Sequence, residues 1–381
     1  MLKSFIIAYP WDLVDEGVDT VLDRLHGEIG VSGLSVWASV PPVTQLRLRD
    51  VEPRILRTRG GLCFQPSDNF YADTRAKPIV SEWAKTQNPL HVIAAGCAER
   101  GLELRLRVSA AATGRLATEY PEMACKNIFG DASKMGVCLA NPDVQAYLCG
   151  LAGDLLTHYK PAGLVVTDFI IRWMEALKLD LGSRPHHEPT YGALLSLCFC
   201  ESCRQKAAEA GVAVDRALDS ALEAVLGAFG ASDDDETLGT ILAEHVELGR
   251  YCVWSAGEVT SLLKRMTDAC DCELLLHRNP GESLWRQSPS IDCSVPAAVV
   301  TSVDDPGQLE GALGKEAQRN ELSVPASFAI GSDSGMLVRV LSRAGEIGYA
   351  GAEIDNYGLL PDAAFTPIKQ AARFAKRTTK V

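Results

Sequence analysis

Short apolar or β-branched runs recur along the chain, and each is followed by a stretch of helical length. Residues 5–8, 33–38, 102–108, 163–168, 273–277, 297–301, 324–329 and 352–355 each read as a strand. The run 102–108 alternates Leu with charged residues, which sets Arg105 and Arg107 on one face. Between the runs, 143–156 carries Val144, Tyr147, Leu148 and Leu151 at helical spacing, and 238–266 is a longer amphipathic stretch. Strands alternating with helices predict βαβ units and a parallel sheet. Eight of them predict the α/β class and a (β/α)₈ (TIM) barrel, as one domain over 1–381. A doubly wound open sheet is the alternative, but no G-x-G-x-x-G follows the first strand.

Two connections are oversized. The second strand is followed by about fifty residues rich in Pro, Gly and Arg before a helix near Leu90. The fourth is followed by about a hundred, with an insertion expected at 174–236. Loops that follow barrel strands sit on the catalytic face, so this excursion is expected to roof an active site.

Composition narrows the class. With 381 residues, 47% of them hydrophobic, the chain can bury a large core. A net charge of −12 and the lack of any basic stripe disfavour nucleic acid and anionic membrane as partners. The N-terminus is apolar only briefly before Trp11 and Asp12, so it reads as a strand and not a signal peptide. No apolar run reaches membrane-spanning length. Twelve cysteines in such a chain suggest reduced thiols and a cytoplasmic protein; a homo-oligomer stays open.

Cys198, Cys200 and Cys203 fall in C-x-C-x-x-C spacing, which lets thiolates converge on one tetrahedral metal, most often Zn²⁺. Cys138 is the expected fourth ligand. Four thiolates leave no open position, so the site is expected to be structural. The competing reading is a set of buried or redox-active thiols. The remaining cysteines, Cys125 among them, read as small core or surface thiols.

The C-terminal ends of the predicted strands carry the chemistry. They offer Asp12, Trp37, Arg107, Asp168, Arg172, His277, Arg278, Glu353, Asp355 and Tyr357. Carboxylates, Arg, His and aromatic faces on one rim suit a polyhydroxylated substrate. Asp168 emerges after an apolar run and is the expected general acid/base, with Glu353 or Asp355 as its partner carboxylate. Arg107 inside a barrel needs an anionic partner, for which Asp168 is the natural choice. Arg107, Arg172, Arg278, His277, Asp12, Trp37 and Tyr357 are expected to hold the substrate. Helix capping competes for Asp12, Asp168 and Glu353, a core role for His277, and a plain exposed loop for His186 and His187.

The segment Cys138-Leu139-Ala140-Asn141-Pro142 followed by Cys198-Phe199-Cys200-Glu201-Ser202-Cys203 resembles the glycoside hydrolase family 42 β-galactosidases. It also resembles barrels described as hypothetical glycosyl hydrolases, through Asp168-Phe169-Ile170-Ile171-Arg172 and the Cys-Phe-Cys-x-x-Cys segment. The resemblance implies a barrel, a carbohydrate substrate, and zinc on Cys138, Cys198, Cys200 and Cys203. It does not bring the family's catalytic pair. Thr167-Asp168 stands where family 42 has Asn-Glu, and 329–333 lacks the strand-seven Glu. A glycoside hydrolase is therefore the leading expectation. The alternatives are a lyase or isomerase with a second, catalytic metal on His277, Asp168 or Glu353, and a barrel that binds carbohydrate without turnover.

Overall fold

The computed structural model describes residues 2–49, 51–86, 88–169, 188–228, 238–278, 291–313, 317–330 and 335–377. Eight strands form the barrel: β1 (Lys3–Ala8), β2 (Gly33–Val40), β3 (Glu103–Ser109), β4 (Gly163–Thr167), β5 (Glu273–Arg278), β6 (Ala298–Ser302), β7 (Asn320–Pro325) and β8 (Gly351–Asp355). Each pairs in parallel with the next, and β8 returns to β1, so the sheet closes. This is the expected (β/α)₈ barrel. Helices α1 (Pro10–Glu16), α2 (Pro89–Arg100), α3 (Pro142–Tyr159), α4 (Glu201–Glu209), α5 (Val246–Asp268), α6 (Met336–Ile347) and α7 (Phe365–Arg377) belong to the connections.

Local signals explain these boundaries. Asn141 caps α3 by accepting from the amides of Asp143 and Val144, and Pro142 opens the helix. The stretch 238–266 is broken at His245 into Leu238–Glu244 and α5. The long connection after β2 folds as a hairpin, Val43–Leu46 against Ile55–Thr58. No described helix is long and apolar enough to cross a membrane.

One strand lies elsewhere than expected. The seventh runs over Asn320–Pro325, and 326–329, read as strand, is a 3₁₀ turn. Alternation within Asn320-Glu321-Leu322-Ser323-Val324 sends Glu321 and Ser323 into the barrel and Leu322 and Val324 outward. The apolar end of that segment drew the expected strand too far along the chain.

The barrel interior is half ionic. Val165, Leu275, Ala298 and Val300 fill one side with branched or small apolar groups. Opposite them, the Arg105 guanidinium lies 3.6 Å from the centre of the Phe5 ring and donates to Glu321 Oε2 at 2.6 Å and Glu353 Oε1 at 3.4 Å. All three charged groups are fully buried.

Candidate active site and cysteine cluster

The ion-pair layer supports the mouth above it. Arg107, two residues beyond Arg105 on the same inward face of β3, donates to Glu353 Oε2 at 2.5 Å and to Ser35 Oγ at 3.4 Å. Arg107 therefore pairs with Glu353 and not with Asp168 as expected. Glu353 does not stand at the rim. It is fully buried, and although burial pushes its carboxyl up, Arg107 and then Arg105 hold it below the usual carboxylate value. Its charge keeps two buried guanidinium groups compensated.

Asp355 lies two residues further along β8, at the exposed end of the strand. Although the residue as a whole is exposed, desolvation of its carboxyl raises it above the ordinary value, Arg107 opposing and Glu353 adding. At the end of β4, Asp168 is half-buried and takes a left-handed backbone conformation, φ +58°. That region is costly for most side chains and tolerated best by Asn and Asp. A backbone bond holds it there: the Ala111 amide donates to the Asp168 carbonyl at 2.8 Å.

Tyr9, at the end of β1, brings these groups together. Burial raises its phenol well above the usual value, and the charges of Asp355, Asp12 and Asp168 add to the effect. Its ring stacks on Trp11 at 4.5 Å and on Trp37 at 5.8 Å, and Trp83 meets Trp11 edge-on. Trp37 is half-exposed, with the Arg107 guanidinium 5.1 Å from its ring centre. The mouth thus holds two carboxylates, a buried cation and a half-exposed aromatic wall.

Neither a protein-family model nor a curated protein matches the chain. Solved structures do. The chain is similar to α-L-fucosidase isoenzyme 2 from Paenibacillus thiaminolyticus, with a TM-score of 0.53 and 11% identity over 99% of this chain and 49% of that one. It is similar to a β-galactosidase from the psychrophilic Marinomonas ef1, with a TM-score of 0.54 and 11% identity over 98% and 59%. It is also similar to the PgaB (BpsB) glycoside hydrolase domain from Bordetella bronchiseptica, with a TM-score of 0.53 and 11% identity over 98% of each. The likeness is one of fold. The chain spans about half the length of the first and three-fifths of the second.

Other expected ligands are engaged by groups of the protein itself. Asp12 is buried and caps the first turn of α1: it accepts from the Tyr9 amide at 2.9 Å and from Gln45 Nε2 at 2.9 Å. A Cβ on Gly358 would lie 2.1 Å from Asp12 Oδ1, so only glycine leaves room for this carboxyl. Burial pushes Asp12 up to about 7 despite these donors. Tyr357 is buried too, donating to Glu16 Oε2 at 2.7 Å and accepting from Arg24 at 2.5 Å, outside the barrel mouth. His277 has both ring nitrogens engaged, Nδ1 with Thr167 Oγ1 at 3.3 Å and Nε2 with Ser302 Oγ at 3.1 Å. Burial, then Arg107, lowers it to about 3, so it is a neutral brace for β4. Arg278, half-buried, approaches Cys293 Sγ at 4.0 Å. Arg172, His186 and His187 lie outside the described residues.

Sequence reasoning missed Glu321, because of the misplaced seventh strand, and Trp83; Tyr9 and Trp11 stand among the expected strand-end groups, but without an assigned role.

The four expected cysteines do converge. The sulfurs of Cys138, Cys198, Cys200 and Cys203 all lie within 4.8 Å of one another. A tetrahedral Zn²⁺ with Zn–S of about 2.3 Å sets sulfurs about 3.8 Å apart, so the donor set fits such an ion. Among the described residues this is the group of His, Cys, Asp or Glu close enough to hold a metal. Cys125 is not the bland thiol expected: it stands beside the cluster, and Cys138 and Cys198 push its thiol well above the ordinary value. The neighbouring thiols, Cys125 first, hold Cys138 and Cys198 below the ordinary value, while Cys200 and Cys203 are raised, chiefly by Cys138. Phe199 stacks on Tyr251 of α5 at 4.4 Å, and its amide donates to the Lys126 carbonyl at 2.8 Å.

Proposed function

We propose that this chain is a glycoside hydrolase with its reaction centre at the barrel mouth. Asp168 serves as general acid, protonating the departing glycosidic oxygen, and Asp355 as the partner carboxylate. The observation that carries this is the pair of carboxylates at the ends of β4 and β8, whose charges both act on the Tyr9 phenol, with half-exposed Trp37 stacked on Tyr9. The two groups sit in different surroundings. Asp355 lies beside Arg107 and above the buried negative charge of Glu353, so its ionisation responds to both. Trp37 offers a face to a sugar ring, and Arg107, fixed from below by Glu353, offers hydrogen bonds to hydroxyls. Glu353 is in this reading a positioning residue. Arg172 and Arg278 stay proposed as further contacts to the substrate.

The four cysteines hold a zinc ion in this reading, as a structural tie. A catalytic metal on His277 finds no support, since both its nitrogens are bonded to protein hydroxyls.

The test is hydrolysis of a panel of aryl glycosides and oligosaccharides, with Asp168→Asn and Asp355→Asn as controls. Turnover by the intact chain, lost in both variants, supports the assignment. Ligand-induced stabilisation with no product from any glycoside would favour binding without turnover.

A further inference from the structure

A groove of about 610 Å³ runs along the C-terminal rim of the barrel, within the size range of ligand pockets. Pro42, Thr58 and Arg59 form one wall; Ala117, Lys134 and Met135 belong to the other. Both walls start at the mouth. Pro42 lies two residues beyond β2 and five beyond Trp37. Ala111, bonded to the Asp168 carbonyl at 2.8 Å, is three residues before Gly114 in the groove lining. At Gly114 the walls meet: a Cβ there would lie 2.9 Å from Pro42 Cγ and 3.1 Å from the Lys134 carbonyl.

The charge of this lining is opposite to that of the chain. The whole sequence has 49 acidic and 37 basic residues, yet the groove is bordered by Arg59 and Lys134 and by no carboxylate. Both cations are exposed, and among the described residues neither has an ion-pair partner within 4.0 Å. The nearby Glu82 is taken by Lys85 at 2.7 Å and Arg115 at 3.3 Å. The rest of the lining is largely apolar, from Pro42, Ala117 and Met135.

We propose that the groove binds an acidic sugar unit of an extended glycan, adjacent to the unit cleaved at the mouth. Its carboxylate or sulfate is held by Arg59 and Lys134, and the apolar faces of its ring lie on Pro42 and Met135. This rests on the reading of the mouth as the hydrolytic centre. The local positive field draws an anionic substrate to a protein whose net charge would otherwise repel it.

The test is calorimetric titration of the intact chain with three probes: a galacturonate trisaccharide, a sulfated galactose trisaccharide and neutral galactotriose. The anionic probes are expected to bind about tenfold tighter than the neutral one at low salt, as two exposed ion pairs would give. The preference should fade at about 0.5 M salt. It should vanish in the Arg59→Ala/Lys134→Ala double variant, whose thermal midpoint should be unchanged. Preference for one anion or for both names the source of the charge, and either supports the groove. Equal affinities, no binding of any probe, or a preference that survives in the double variant overturns it. Asp168→Asn separates the two proposals: it should keep the preference while losing turnover. If it kept turnover, the acid assignment would fall and the groove would stand.

Discussion

The cysteine cluster and the barrel mouth collect chemically potent side chains in opposite ways. Three of the four thiols come from six consecutive residues, and the group is closed around itself. The mouth draws Tyr9, Trp37, Arg107, Asp168 and Asp355 from five strands, and leaves Trp37 and Asp168 half-exposed and Asp355 at the open rim. A closed, saturated donor set holds structure; an open set of charges and rings can meet a substrate. The two regions are also joined. Val137, next to Cys138, donates to the Ala111 carbonyl at 2.9 Å, and Ala111 donates to the Asp168 carbonyl at 2.8 Å. The cluster is thus two backbone hydrogen bonds from the turn that fixes Asp168.

The strongest way to break this division is to open the cluster. Cys200→Ser is expected to lose the metal and more than about 4 kcal/mol of stability, as loss of a structural site does. Activity should fall only with the folded fraction. Metal content by mass spectrometry and urea unfolding check this. A variant that kept its fold and metal but lost catalysis would move the cluster into the chemistry.

The ion-pair layer beneath the mouth tests the same division from within the barrel. Glu353→Gln strips Arg107 of its buried counter-charge, and breaking such a pair costs about 3–5 kcal/mol. Chemical denaturation measures it. If stability were unchanged while turnover collapsed, Glu353 would be the partner carboxylate after all.

These two regions were unequally legible in the sequence. The cluster was readable because three of its thiols are neighbours, and the fourth, Cys138, stands just before a capped helix. The eight strands were readable because apolar runs repeat at the right interval. The mouth was readable only as a list of strand ends. Whether a carboxylate is a cap, an ion-pair partner or a rim group depends on register. One two-residue step along β8 separates buried Glu353 from exposed Asp355. The same uncertainty hid Glu321, and it made substrate contacts of Asp12 and Tyr357, both of which are buried and bonded to protein groups.

At the mouth, Asp168→Asn should lower turnover by about 10²–10⁴-fold, while metal content and unfolding midpoint stay as they are. The pH profile sharpens the role of its partner. Asp355 must be ionised to act as nucleophile or base, and its carboxyl is raised above the ordinary value. Activity should then fall, as pH drops, at a higher pH than an ordinary carboxylate would give. Glu353 raises Asp355 and Arg107 lowers it, so Arg107→Met should move the acid limb upward. A limb that stays in place in that variant would remove Asp355 from the reaction.

The smallest expected effect concerns Trp37. Its ring stacks on Tyr9 at 5.8 Å and lies over Arg107 at 5.1 Å, so one edge is already braced by protein. A sugar ring would take the remaining exposed face. Trp37→Ala should raise KM about tenfold, the loss of roughly one stacking contact, with kcat little changed. Trp37→Phe should recover most of it, because a smaller face still stacks. A fall in kcat instead would mean that the ring acts through Arg107, steadying the cation rather than the sugar. Unfolding of both variants separates these outcomes from simple loss of packing, since Trp37 is not part of the fully buried core.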